Sequence, residues 1–291
     1  MTVERSRENQ LPPDYVRWPE VEQNESLKTA IEASLYAGEL LRDAFNQKYD
    51  TALNPDSSDF TPFDKQAEIR ARSIIQQHEP DAKFSSEELS PDFDISEGNF
   101  WTIDGIDGTT NFKLRIPIVN FTLAKVEGGT TQVGVVYDFL HNDLYYAVKD
   151  KGAFRNGEKI EVSSRPFKES VISFAPLRYY GRDKWDEEKA AVEATRAGMD
   201  EITDVSGRFH RELQSGGLEL AWIAEGRLDG FASSWTSPWD LSAGVLLVRE
   251  AGGIVTNIYG EDWQPSFKGV IAGNREIQPQ MLSIIQKHFK K

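Results

Sequence analysis

The chain has no cysteine among its 291 residues, which excludes disulfides, a thiolate nucleophile and thiolate-bound zinc. It has no apolar run near the roughly 18 residues that a membrane-spanning helix needs. It is also short of positive charge: 33 Lys and Arg against 47 Asp and Glu give a formal charge of −14. A nucleic-acid polymer is therefore not an expected partner, because phosphate backbones are bound by basic surfaces. The N-terminal stretch carries Glu4, Glu8, Asp14, Glu20 and Glu22 and no apolar core of a leader, so a cytoplasmic location is the default expectation. Internal repeats, low-complexity tracts and a Walker A loop are absent as well.

What is present is a folding composition, 39% hydrophobic with seven Trp, in a chain long enough to bury a sizeable core. Residues 1–24 are polar, carry Pro12 and Pro13 and read as a loose arm. A helix from Ser26 sets Leu27, Ala30, Ile31, Leu35, Gly38, Leu41 and Phe45 on one face, residues 46–62 read as loop, and a second helix follows over 63–78. Strands are expected at 82–86, 100–104, 117–126, 132–139 and 143–148. Tight turns at Gly128–Gly129 and at 141–143 make the last three an antiparallel run. Beyond Asn156 and Gly157 the pattern changes to strands at 170–175, 228–232, 253–257 and 269–272, with helices at 184–197, 215–225, 238–251 and 276–289. The expected organisation is thus an arm (1–24), an α+β half (25–155) and an α/β half (156–291).

The densest signal is Asp104-Gly105-Ile106-Asp107-Gly108-Thr109-Thr110, which closes an apolar run. Two carboxylates can hold a hard divalent cation, and amides at a helix start can hold phosphate. The net negative charge would repel a phosphate ester, so the anion must be met by bound cations. Asp64, the pair Glu87 and Glu88, and Asp240 each stand at the end of an element. Alone, the Glu pair reads equally as surface charge and the two Asp as helix-start acids favoured by the dipole. A haloacid-dehalogenase-type loop needs its acids two apart, and here they are three apart. An EF-hand needs a glutamate at the twelfth position from Asp104, which is Arg115.

In conjunction these segments resemble the inositol monophosphatase-like family of Mg²⁺-dependent, lithium-sensitive phosphatases. The family motif Asp-Pro-Ile-Asp-Gly-Thr-Thr-Asn is matched by Asp104 to Asn111, its Glu-Glu by Glu87 and Glu88, its Thr-x-x-Asp by Thr61 to Asp64, and its Trp-Asp-x-Ala-Ala-Gly by Trp239 to Gly244. Gly226 to Phe231 and Glu250 to Gly253 also look like the family, and the resemblance spans residues 26–289. It implies a layered αβαβα sandwich and two or three Mg²⁺ ions. It places Glu87, Asp104, the Ile106 carbonyl, Asp107 and Asp240 as metal ligands, with Glu87, Asp64 and Thr109 as catalytic groups and Gly108 and Thr109 as phosphate-binding amides. A small phosphorylated metabolite as substrate, inhibition by Li⁺, no membrane partner and a homodimer are further implications.

The chain departs from that pattern at Gly105, where the family has proline, and on the alcohol side of the pocket. There Ser233 takes the place of a glutamate and Gln214 that of a glycine, followed by Ser215 and Gly216. Losing a built hydrogen bond changes specificity, which puts inositol itself in question as the substrate. Arg211 is a further pocket candidate, or a structural ion-pair partner. A 3′(2′),5′-bisphosphate nucleotidase or histidinol-phosphatase is the alternative enzyme. Arg178, Tyr179, Tyr180 and Arg182 could supply a stacking platform for a nucleotide, or form a surface loop. The alternative from another class is an inactive, metal-dependent binding or regulatory protein.

Overall fold

Side chains are buried on both faces of nearly every strand, which requires a cover on each side of each sheet. The computed structural model describes residues 17–47, 52–53, 59–175, 185–234 and 236–289. The first elements are α1 (Pro19–Glu22), α2 (Glu25–Ala44), β1 (Ala52–Leu53), β2 (Asp59–Phe60), α3 (Pro62–His78), β3 (Phe84–Ser86), β4 (Phe100–Asp107) and α4 (Thr109–Leu114). Then come β5 (Asn120–Glu127), β6 (Thr130–Asp138), β7 (Asp143–Val148), β8 (Gly152–Arg155), β9 (Glu158–Ile160), β10 (Ile172–Ala175) and α5 (Trp185–Ser206). The last are α6 (Gly216–Ala224), β11 (Gly230–Ser233), α7 (Pro238–Glu250), β12 (Ile254–Thr256), β13 (Val270–Gly273) and α8 (Ile277–Lys287).

Strands β3 to β9 form a seven-stranded sheet in sequence order, parallel between β3 and β4 and antiparallel elsewhere. A four-stranded sheet has the order β10-β11-β13-β12, parallel only between β10 and β11. One face of the larger sheet packs Trp101, Ile103, Leu123 and Tyr146 on Leu27, Ile31, Ala67 and Ile75 of α2 and α3. Its other face packs Ala124, Val136 and Tyr145 on α6 and α7, which in turn cover Phe231 and Val270 of the smaller sheet. Ile172, Phe174 and Ile271 then meet Met199, Ile202, Met281 and Ile285 of α5 and α8. The layers run helix, sheet, helix, sheet, helix, the expected sandwich.

The central helices are dictated by composition. Leu241 to Val248 of α7 are eight successive buried residues, and a helix that is apolar all round must be enclosed. Close seating of α7 also needs Gly134 on β6, because a Cβ there would lie 2.9 Å from the Ala243 Cα.

Several expectations are corrected. The end of the supposed loose arm is docked: Val21 is buried, and Trp18 stacks on Tyr146 at 5.6 Å, which stacks on Phe154 at 5.3 Å. The stretch 46–62 includes the short antiparallel pair β1 and β2. The first sheet runs past Arg155 to Ile160, because Asn156 and Gly157 form a hairpin turn with positive φ at both residues rather than a boundary. Helix α5 extends to Ser206, nine residues beyond the expected end at 197.

Gly134→Ala is expected to lose about 1–3 kcal/mol in urea denaturation, the usual range for overpacking against backbone. An unchanged midpoint would mean that α7 and β6 have room between them for a methyl group.

Candidate metal and phosphate centre

Residues three apart in a regular strand face opposite sides, so Asp104 and Asp107 could not share a site on an unbroken β4. The pairing with β5 resolves this. Asp104 opposes Thr122 and Asp107 opposes Asn120, so Gly105 and Ile106 are matched by Phe121 alone. The extra residue makes a bulge that turns both acids to one face. Strand β4 therefore continues three residues past its expected end at 104. Asp104 Oδ1 accepts from the Ile106 amide at 2.9 Å inside the bulge. A Cβ on Gly105 would collide with the Asp64 carbonyl oxygen, so in this chain the close approach of the α3 start to β4 uses the bare glycine.

Asp64 reaches the bulge from the first turn of α3. Thr61 caps that helix, Pro62 occupies its first position, and Asp64 Oδ2 accepts from the Thr61 amide at 2.9 Å and from the Thr61 hydroxyl at 2.5 Å. Its other oxygen, Oδ1, is 3.1 Å from the Thr109 hydroxyl, which also lies 3.0 Å from the Ile106 carbonyl. One hydroxyl proton serves one acceptor at a time, so Thr109 chooses between Asp64 and Ile106. Burial pushes the Asp64 carboxyl up to about 7, against the pull of Thr61 and with repulsion from Glu88.

Asp107 is held by the second half of the chain. Its Oδ2 accepts from Asn120 Nδ2 and from the Gly217 amide, both at 2.7 Å, and its Oδ1 accepts from the Gly216 amide at 3.1 Å. The Ser215 hydroxyl receives Asn120 Nδ2 at 2.8 Å and faces Asp107 at 3.4 Å. Ser215 and Gly216, expected on the substrate side, thus turn their polar groups to this carboxylate. The N-terminal amides of α6 add the favourable end of a helix dipole. Burial raises Asp107 to about 6, with these donors pulling against it.

Asp240 repeats the arrangement of Asp64. It is the third residue of α7, after Pro238, and its Oδ2 accepts from the Ser237 amide at 2.9 Å. Thr122 Oγ1 donates to the Trp239 carbonyl at 2.7 Å and ties that helix start to β5. Burial raises Asp240, and the Asp107 charge raises it further. Glu87, just after β3, is pushed well above the ordinary glutamate range by burial, then by the charges of Asp240 and Asp64. Asp104 is pushed up by burial, then by Glu87, Asp107, Asp240 and Asp64.

The five sequence-predicted acids therefore share one repulsive field, and every strong charge acting on Asp104 is negative. Among the described residues no three acidic or histidine side chains stand in closed liganding geometry. The fit to a cation is chemical: oxygen donors only, crowded like charge, and the Ile106 carbonyl beside them, a set suited to a hard divalent ion.

The pocket candidates are placed differently. Gln214 adopts φ of 58°, the left-handed region a glycine would occupy without strain. Ser233 is enclosed at the end of β11 between Ala175 and Val270. Arg211 donates to the Phe209 carbonyl at 2.9 Å and makes no ion pair among the described residues. Arg178, Tyr179, Tyr180 and Arg182 lie outside the described residues. Two surface recesses, about 660 Å³ beside Trp101 and about 540 Å³ beside Ser163, include none of the acids. Asn120 was missed by sequence reasoning, although a lone amide between Val119 and Phe121 in an apolar run was a usable signal.

The family model described as "Inositol monophosphatase family" matches residues 22–290. Inositol monophosphatase 1 of Solanum lycopersicum is 31% identical over 266 residues, covering 90% of this chain and 95% of its own. The protein named "Putative Nus factor SuhB" of Neisseria meningitidis is 32% identical over 270 residues, covering 91% and 99%. The solved structure of a Thermotoga maritima IMPase has a TM-score of 0.79 at 28% identity, covering 91% of this chain and 98% of that one.

Acids with raised folded-state pKa values bind protons more tightly folded than unfolded. Their contribution to stability is whole below about pH 4 and is lost as pH rises through about 6 to 7. Thermal melts of chelator-treated protein are expected to fall between pH 5 and pH 8. Added Mg²⁺ should raise the midpoint more at pH 8, where the carboxylates are ionised. A Mg²⁺ increment that is absent, or independent of pH, counts against a metal centre here.

Proposed function

Since the chain belongs to the inositol monophosphatase family, we propose that it is a Mg²⁺-dependent phosphomonoesterase acting on a small phosphorylated polyol, sugar or related metabolite. The observation that carries this reading is the shared field of Glu87, Asp104, Asp107 and Asp240 beside the Asp64–Thr109 contact. Those four carboxylates and the Ile106 carbonyl would hold two or three ions. Such ions lower the pKa of water and neutralise charge on the leaving oxygen.

The chain's own groups supply orientation and proton handling. When the Thr109 hydroxyl donates to Asp64, the lone pairs of Thr109 Oγ1 are free to orient a water. Asp64, raised toward neutrality, suits a group that takes up a proton near pH 7. The amides of Gly108 and Thr109 would meet the phosphate oxygens. Gln214 and Ser233 stand where the family pattern has a glycine and a glutamate, and the missing glutamate supports a polyol or sugar other than inositol. The Neisseria relative's name, Nus factor, raises a regulatory reading. The intact Asp64–Thr109 pair, which a purely binding protein does not need, favours chemistry.

A phosphate-release screen over inositol, hexose, histidinol and adenosine bisphosphate esters tests this. Release is expected with Mg²⁺ and not without it, and Li⁺ should inhibit. No release from any ester with Mg²⁺ present would favour the regulatory reading. In the active case, Asp64→Asn is expected to lower kcat by about 10²–10⁴ with KM largely kept. A normal kcat in that variant would remove Asp64 from the mechanism.

A further inference from the structure

Glu87 enters the acidic centre from the turn 86–90, which is closed at its base by two backbone hydrogen bonds, Ser86 N to Ser90 O at 3.2 Å and Ser90 N to Ser86 O at 3.3 Å. The middle of the turn is fixed by Glu68, which sits one helical turn after Asp64 on α3 and is fully buried. Glu68 Oε1 accepts from the Glu88 amide at 2.8 Å. Its Oε2 accepts from the Leu89 amide at 3.1 Å and from the Ser86 hydroxyl at 2.6 Å. Three donors that flank Glu87 on both sides thus end on one carboxylate.

A buried carboxylate needs a counter-charge, and Arg72 supplies it from the next turn of α3, 3.7 Å from Glu68 Oε2. The same guanidinium donates to the Ser86 and Ser90 hydroxyls at 2.5 and 2.9 Å, so it grips both ends of the turn. One rigid helix therefore carries Asp64 into the centre directly and holds the segment that brings Glu87 in. The separation of the two is set by four residues of helix, about 6 Å along its axis.

We propose that Glu68 is a positioning residue of the metal centre: it aims Glu87 toward Asp104 and Asp240 and thereby sets the affinity of the centre for a divalent cation. Glu68 touches no reacting atom. The inference rests on the metal-centre reading above and adds to it the group that makes Glu87 competent.

Glu68→Gln keeps the shape but turns an amide donor toward either the Glu88 amide or the Leu89 amide and Ser86 hydroxyl, so donor faces donor. The expected result is about 10–100-fold weaker Mg²⁺ binding, the usual effect of losing an outer partner of a ligand. Titration calorimetry on the full chain well below its melting temperature reads this. At saturating Mg²⁺, kcat should approach that of the parent and the substrate KM should be unchanged. Ala71→Gly is the control, because it weakens the same helix without touching the turn and should leave Mg²⁺ affinity where it was.

Mg²⁺ affinity within twofold of the parent in Glu68→Gln overturns the proposal, as do equal losses in Glu68→Gln and Ala71→Gly, which would report only a loosened α3. Should Glu68→Gln fail to fold, Ser86→Ala decides. It removes one of the three donors and is expected to weaken Mg²⁺ binding in the same direction by less; no change there overturns the proposal. A parent chain that binds no Mg²⁺ removes the functional reading itself, whereas a parent that binds with an unaltered Glu68→Gln removes only the role of Glu68.

Discussion

Repulsion among carboxylates brought together under protein cover governs this structure. Two such charges 4 Å apart oppose each other by on the order of 4 kcal/mol at an effective dielectric of 20, and here five acids share the field. Among the described residues, the fold meets that repulsion with oriented dipoles rather than with lysine or arginine. Asp64 and Asp240 each sit in the first turn of a helix, and Asp107 receives the first amides of α6. Three helix N-termini, each equivalent to a partial positive charge, thus converge on the acids. The remainder of the repulsion is what a bound cation would relieve on the function proposed above.

The layering explains how acids from distant parts of the chain come to one place. The larger sheet supplies Asp104 and Asp107 from β4 and their partners Asn120 and Thr122 from β5. The outer helix α3 brings Asp64 from one side, and the enclosed helices α6 and α7 bring the Asp107 donors and Asp240 from the other. Because Leu241 to Val248 of α7 are buried, the helix has little room to shift, and Asp240 at its start inherits that rigidity.

The acids themselves were legible in the sequence because chemistry demands those residue types and because several sit at recognisable helix starts such as Thr61-Pro62-Phe63-Asp64. The bulge between Asp104 and Asp107 was not. Strict alternation predicts that the two diverge, and only the pairing with Asn120 and Thr122 shows that they do not. The hairpin at Asn156 and Gly157 gave a correct turn signal that was read as a change of region, since strands as short as β8 and β9 have too few residues to show a period. Trp18 and Val21 were lost among polar neighbours, and Tyr146, on which Trp18 stacks, lies more than a hundred residues away. Glu68 carried a signal that passed unused: with Asp64, Ala67, Ala71 and Ile75 it occupies the inward face of α3, where an unpaired acid is unfavourable.

The capping geometry of Asp64 and Asp240 bears on how relatives of this chain can evolve. Each side chain accepts the amide of its helix's N-cap residue as well as facing the centre, so it serves the helix start too. A lineage drifting from catalysis to a purely regulatory life would still need an acceptor oxygen at both positions, as Asp or Asn, to keep the helix starts. A side chain of that shape kept at 64 or 240 is thus by itself a poor sign of retained turnover in any descendant. The more telling marker is Thr109, whose hydroxyl caps no helix and serves Asp64 instead.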